Sequence, residues 1–305
     1  MMSLGAKITS AIIRAYTYPY RKNHLSLSRS IQFSKKLYLP PKNYNYAVKE
    51  IDGCNIEVIS PSKSINDLCA VVQFHGGGHT QAMNGMYRKV ALRLSKISKC
   101  PVYSIDYNTG DTLVYPKLHD ECYKAYVNLV KGPLKNKQIL LIGDSFGANL
   151  MLSTCLRLRD GGMKLPCGLI CISGYIDLAA TGNSYIKNCY RDPLYALLKK
   201  QSFQDNEKYI RRITPYCGKA SPFDKLLSPA YADYHCFPNM LIQCGDCETS
   251  ESDSDILYEK AAAANVRVKL TKYKGMWHDF QYITPFLKES RRAWSEIRDF
   301  IKSIL

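Results

Sequence analysis

Acidic residues are missing from the first 49 positions, where nine Lys and Arg occur before the first carboxylate, Glu50. They are scarce overall too, with 26 Asp and Glu against 42 Lys and Arg, a formal charge of +16. A surplus of that size raises nucleic acid, membrane surfaces and acidic substrates as partners. No Arg-rich block or recognisable nucleic-acid motif accompanies it, so no nucleic-acid partner is expected. Long apolar runs are also missing, and no window approaches the ~18 uninterrupted apolar residues of a membrane-spanning helix. Residues 1–20 carry Lys7 and Arg14 within their moderately apolar stretch, and no small-residue cleavage site follows, so no cleaved signal peptide is expected. The expected protein is soluble and cytoplasmic, with weak peripheral membrane contact through the basic N-terminus left open. A metal-ligand set is lacking as well. Cys244-Gly-Asp-Cys247 has CxxC spacing, but it follows an apolar strand, and no second CxxC or HxxxH completes a zinc set. The other cysteines, such as Cys69, Cys155, Cys167 and Cys171, sit mostly in apolar runs where a thiol packs as a small hydrophobe, as in a reducing compartment.

What is present is enough for one large core: 305 residues, 46% of them hydrophobic. Leu4, Ile8, Ile12 and Tyr16 recur every fourth residue and predict a short N-terminal helix with one apolar stripe. The simpler reading lays that stripe on the helix's own domain; the sharper one makes it a lid or a membrane-surface helix. Pro40-Pro41 ends this region. Asp52-Gly53 predicts a hairpin turn between Tyr46–Ile51 and Cys54–Ile59. Strand and helix signals then alternate: Leu68–Phe74, a helix through Tyr87–Ser98, Val102–Tyr107, a helix through Leu118–Val130, Gln138–Ile142, and a helix from Phe146. The pattern resumes with Gly168–Ser173, Asn239–Cys244, a helix over Asp253–Ala264, Val266–Tyr273 and a final helix through Ser290–Ile304. Such alternation means a mostly parallel central sheet flanked by helices, an α/β fold. Residues 180–220 break it and read as an insertion over the sheet.

The motif Gly143-Asp144-Ser145-Phe146-Gly147 lies between a predicted strand and a predicted helix. In that setting the glycines permit a sharp turn and a close strand–helix approach, and the serine stands exposed above the sheet. A serine hydroxyl needs a base to take its proton and dipoles to hold the resulting oxyanion. The run His75-Gly76-Gly77-Gly78 directly follows a strand, so the amides of Gly77 and Gly78, with that of Phe146, are the candidate oxyanion donors. Two histidines follow Ser145. His235 precedes the strand Asn239–Cys244, whereas His278 lies in a loop between the last strand and the last helix, the chain order expected for nucleophile, acid and base. The acid must come from Gly245-Asp246-Cys247-Glu248, where either Asp246 or Glu248 could hold the imidazole tautomer. Asp253 is expected to cap the following helix.

Taken together, these motifs resemble the bacterial hormone-sensitive-lipase family of α/β-hydrolases from about Ala47 to the C-terminus. His75-Gly-Gly-Gly78 resembles its HGGG signature and Gly143-Asp-Ser-Phe-Gly147 its GDSAG elbow, with Phe for Ala. Asp106-Tyr107, Tyr115-Pro116 and Asp120 are similar to its DYR-LAPE-PxxxD segment, with Asn108-Thr-Gly-Asp-Thr112 departing from it. Ser228-Pro229, Tyr231-Ala232-Asp233 and Gly275-Met276-Trp277-His278-Asp279-Phe280 also match. The resemblance implies an α/β-hydrolase fold with a small helical cap, built from residues 1–45 and an insertion near 180–220 of a 46–305 hydrolase domain. It places the acid about thirty positions before the histidine, at Glu248, and leaves Asp144, Asp106 and Asp120 as scaffold. The implied activity is a serine esterase acting on small-molecule esters of short to medium acyl chain, with no metal or organic cofactor. An N-acyl amidase or deacetylase would use the same residues, and a silent binding protein would share the scaffold.

Overall fold

A computed structural model describes residues 2–22, 38–63, 65–195 and 214–305. The alternating signals become one eight-stranded sheet in the order β1-β2-β4-β3-β5-β6-β7-β8. Its strands are β1 Tyr44–Ile51, β2 Cys54–Pro61, β3 Cys69–Phe74, β4 Val102–Asp106, β5 Gln138–Asp144, β6 Gly168–Ile172, β7 Asn239–Gly245 and β8 Val268–Tyr273. The hairpin β1–β2 pairs Ile51 with Cys54. Its turn residues Asp52 and Gly53 both have positive φ, 53° and 77°, as a two-residue turn matched to strand twist requires. Strand β2 runs antiparallel to β4; all other neighbours from β4 to β8 are parallel.

Side-chain alternation divides the central strands between two cores. Ala70, Val72 and Phe74, with Ile139, Leu141, Leu169, Cys171, Met240 and Ile242, face one side, under helices α3 (Lys117–Lys131), α4 (Phe146–Asp160) and α5 (Glu251–Ala263). Val71, Leu140, Ile142, Ile170, Ile172 and Leu241 face the other, under α2 (Gly85–Ser98) and α6 (Lys288–Ile304). Both faces are covered, so β3, β6 and nearly all of β5 and β7 are buried, and their sequences read as continuous apolar runs. Nine of the twelve cysteines are buried as free thiols, and Cys244 and Cys247 are not joined.

Helix α1, Leu4–Lys22, packs on the domain by a face other than its apolar stripe. Among its described side chains Ala6 and Thr17 are the buried ones, while Leu4, Ile8, Ile12 and Tyr16 are 72%, 53%, 62% and 61% exposed. Backbone carbonyls decide this orientation, because buried carbonyls need donors. Thr17 Oγ1 donates to the Pro193 carbonyl at 2.8 Å, and Arg14 donates to the carbonyls of Tyr190 and Arg191. At the other end the Ser3 amide and hydroxyl donate to the Glu289 carboxylate at 2.8 and 2.9 Å. Of the insertion near 180–220, residues 196–213 lie outside the described residues. The remainder carries a single-turn helix, Ser184–Lys187. Asn188 Nδ2 ties it to the loop after β7, donating to the carbonyls of Asp246 and Glu248 at 3.1 and 2.8 Å.

Candidate active site

Strand β5 ends at Asp144 and α4 begins at Phe146, leaving Ser145 alone in the turn with φ 52° and ψ −125°. A non-glycine residue is held in that conformation only when its surroundings over-determine it. Here the Ser145 amide donates to Ile172 O at 2.9 Å, and its carbonyl accepts from Tyr175 N–H at 3.0 Å. The turn also needs Gly147, since a Cβ there would run into the carbonyls of Phe74 and His75.

Ser145 Oγ lies 2.8 Å from Nε2 of His278, whose Nδ1 lies 3.1 Å from Oε2 of Glu248. Glu248 is fully buried, and its Oε1 accepts from Ser173 Oγ at 2.9 Å and from Gly245 N–H at 2.5 Å. Asp246, the other candidate acid, points elsewhere. Its Oδ1 accepts from Gly275 N–H at 2.7 Å and faces Arg191 at 3.7 Å. His235 is paired with exposed Asp233, remote from this chain of groups. Asp253 differs from expectation: Ser250 is the residue before α5, and buried Asp253 accepts from the amides of Ile176 and Asp177 at 2.8 and 2.9 Å. Two interior backbone N–H groups take its carboxylate, while Ser184 Oγ accepts from Ser252 N–H at 2.9 Å in the first turn of α5. Asp106 accepts from Met83 N–H at 3.3 Å and Asp120 pairs with Arg157 at 2.8 Å, both supporting the frame.

The glycine run follows β3, with Gly77 and Gly78 at φ 99° and 64°. The loop is pinned from behind: Tyr107 Oη donates to His75 O at 2.6 Å and its ring stacks on His75 at 4.1 Å. Burial holds His75 at a pKa of about 4, so it stays neutral. Phe146 opens α4, where a helix leaves its first amides without intrahelical partners. Its ring packs edge-on against Tyr216 at 5.2 Å and His119 at 6.0 Å. His119 is itself held between Tyr216 Oη at 2.8 Å and Asn149 Oδ1 at 3.0 Å. The departing loop Asn108–Thr112 is fixed by Glu121, which accepts from both nitrogens of Asn108 at 3.0 Å.

Three groups around His278 escaped the sequence reading. Asp192 Oδ2 accepts its backbone N–H at 3.0 Å, Asp279 Oδ2 lies 3.4 Å from Nε2, and Ser173 Oγ accepts the Asp279 amide at 3.1 Å. Asp279 was visible as the residue after the histidine; Asp192 lies in the irregular insertion, where nothing in the pattern marks it. Burial pulls the His278 pKa down, but Asp279, Glu248 and Asp192 outweigh it and lift it to about 10. Burial also raises Asp279, to about 7.

An eight-stranded sheet of this order, with a serine in the strand–helix turn hydrogen-bonded to a histidine and carboxylate, defines the α/β-hydrolase class. A family model described as the α/β hydrolase fold matches residues 71–282. An esterase of Acinetobacter venetianus is 30% identical over 266 residues, covering 87% of this chain and 84% of its own. An acetyl-hydrolase of Streptomyces hygroscopicus is 26% identical over 279 residues, covering 92% of this chain and 88% of its own. The crystal structure of an esterase from the bacterial hormone-sensitive lipase family superposes with a TM-score of 0.81 at 25% identity, covering 100% and 99% of the two chains. The chain belongs to the α/β-hydrolase family, among the esterases of the bacterial hormone-sensitive-lipase type. It is an enzyme of the carboxylic-ester hydrolase class.

Proposed function

We propose that Ser145 is the nucleophile of a serine esterase, with His278 as general base and Glu248 as the acid that orients it. The observation that carries this is the continuous hydrogen-bonded chain Ser145 Oγ–His278 Nε2, His278 Nδ1–Glu248 Oε2. Ser145 Oγ bonds to the ester carbonyl carbon while its proton passes to Nε2, and Glu248 stabilises the imidazolium. The amides of Gly77, Gly78 and Phe146 hold the oxyanion. Collapse of that intermediate breaks the acyl–oxygen bond, and His278 returns the proton to the departing alcohol. Water then repeats the two steps on the Ser145 acyl-enzyme. The cap expected from residues 1–45 and the insertion near 180–220 includes 23–37 and 196–213, which lie outside the described residues; its described parts include α1 and residues 184–195, a reading supported by the contacts of α1 with residues 190–193 and of Asn188 with the Glu248 loop. The acyl chain is short to medium, a reading supported by a relative that is named an acetyl-hydrolase.

A series of p-nitrophenyl esters from acetate to long chain tests the reading. Turnover should fall with acyl length and drop by at least about a thousandfold in Ser145→Ala. Glu248→Gln should lower it by up to about 10⁴, the loss seen for an amide in a comparable triad, with Asp246→Asn far milder. Unchanged turnover in a folded Ser145→Ala removes the nucleophile assignment. A folded but inactive Asp246→Asn beside an active Glu248→Gln moves the acid.

A further inference from the structure

The outward face of α1 is apolar where a surface helix is ordinarily polar. Leu4, Ile8 and Ile12 are more than half exposed, and Tyr18, also on this side, is 50% exposed. Lys7, also exposed, borders the same face. No Asp or Glu occurs anywhere in the helix, nor in the chain before Glu50. The inward face is committed already, through Ser3 to Glu289, Arg14 to the 190–191 carbonyls and Thr17 to Pro193, so the helix cannot roll to hide its aliphatic side without losing those bonds.

We propose that this face docks on an anionic phospholipid surface, with Leu4, Ile8 and Ile12 entering the acyl boundary and Lys7 meeting lipid phosphates. Charge decides between occupants. A second copy docking through the same face would bring two cationic N-terminal segments together with no carboxylate on either to pair with them. An anionic bilayer supplies both what the isoleucines need and what the cations need, the pattern of an in-plane interfacial helix. A helix of this length, about 28 Å at 1.5 Å per residue, lies along the interface. In that pose residues 190–193, which the inward face of α1 covers, lie beneath the helix and away from the lipid. The inference stands apart from the catalytic assignment, because binding is read without turnover.

Sedimentation with vesicles of phosphatidylcholine alone and of phosphatidylcholine with phosphatidylserine tests it, using wild type, Ile8→Ser/Ile12→Ser and Lys7→Glu. All substituted side chains are exposed, and far-UV circular dichroism monitors folding. Wild type should pellet with the phosphatidylserine vesicles at low salt, weakly at high salt, and weakly with phosphatidylcholine. The double variant should partition roughly a hundredfold less, and Lys7→Glu should lose affinity for the anionic vesicles selectively. Equal binding by the double variant overturns the proposal, as does failure of wild type to pellet. So does a concentration-dependent dimer abolished by Ile8→Ser/Ile12→Ser, which would make a second copy the occupant. A lowered melting temperature of the double variant without vesicle binding would show the face covered within the chain and overturn it equally.

Discussion

Three buried carboxylates converge on His278: Glu248 at Nδ1, Asp279 near Nε2 and Asp192 at the backbone amide. Asp279 has the distinctive placement, because it sits beside the nitrogen that also faces Ser145. A negative charge there stabilises the imidazolium and so raises the pH at which the ring becomes free to act as a base. Turnover by a histidine base rises with pH as the ring loses its proton, so the acid limb of kcat/KM should lie above the ordinary histidine range near 6.5. Removing the neighbouring charge with Asp279→Asn should move that limb to lower pH, since the folded His278 then gives up its proton more readily. A pH–rate profile of both proteins on one soluble ester checks this. An unmoved limb, with only a uniform loss of rate, would make Asp279 a packing residue.

At the scale of elements, the turn between β5 and α4 depends on how closely α4 approaches the end of β3. Gly147 is where the two backbones meet, and a methyl there would need the space held by the Phe74 and His75 carbonyls. The Phe74 carbonyl cannot retreat without pulling on the sheet pairs Phe74↔Gly143 and Phe74↔Ile105, nor the His75 carbonyl without pulling on the bond it accepts from Tyr107 Oη. Gly147→Ala should therefore destabilise the protein by more than about 3 kcal/mol. Gly162→Ala offers the contrast: its φ is 64° but nothing lies within 4 Å of the added Cβ, so only the backbone penalty of about 1 kcal/mol applies. Urea unfolding of both variants measures the difference. Equal losses would show that the close strand–helix approach adds little at Gly147, which has no positive φ of its own. Helix α1 shows the same dependence on approach, since Ala6 and Thr17 let it close on the domain, with Ile13 packed beside them, while Leu4, Ile8 and Ile12 stay outside.

For the whole molecule, the same carboxylate cluster links stability to pH. Folded His278 keeps its proton to about pH 10, whereas the unfolded chain releases it near 6.5. The folded state binds more protons across that interval, so the stabilisation is complete below 6.5 and is lost as pH rises to about 10. Asp279 acts with the same sign at lower pH, its contribution lost as pH climbs from 3.8 through about 7. Glu289 and Glu296 run the other way: their folded carboxyls are held below 4.5, so their contribution is lost on acidification. Thermal melting should therefore fall from neutral to alkaline pH, and the fall should be smaller in His278→Gln. A wild-type profile that stays flat up to about pH 10 would show that the histidine is not held charged in the folded protein.

Much of this was determined along the chain alone. The strand–helix alternation specified a covered parallel sheet because each central strand is apolar on both faces, and Asp52-Gly53 specified the hairpin because that turn needs two positive φ angles. Ser145, His278 and the glycine run were legible for a similar reason, each lying at the end of a strand where local pattern marks the site. Residue chemistry alone left Asp246 and Glu248 open and the family resemblance favoured Glu248; the tertiary structure brings Glu248 to His278 and turns Asp246 to the Gly275 amide. It alone brought Asp192 to the histidine across 86 positions and took Asp253 from its helix to the amides of Ile176 and Asp177. It also turned the stripe of α1 outward, because periodicity reports that a helix has an apolar face, while the hydrogen-bonding needs of the surface beneath decide which face goes down.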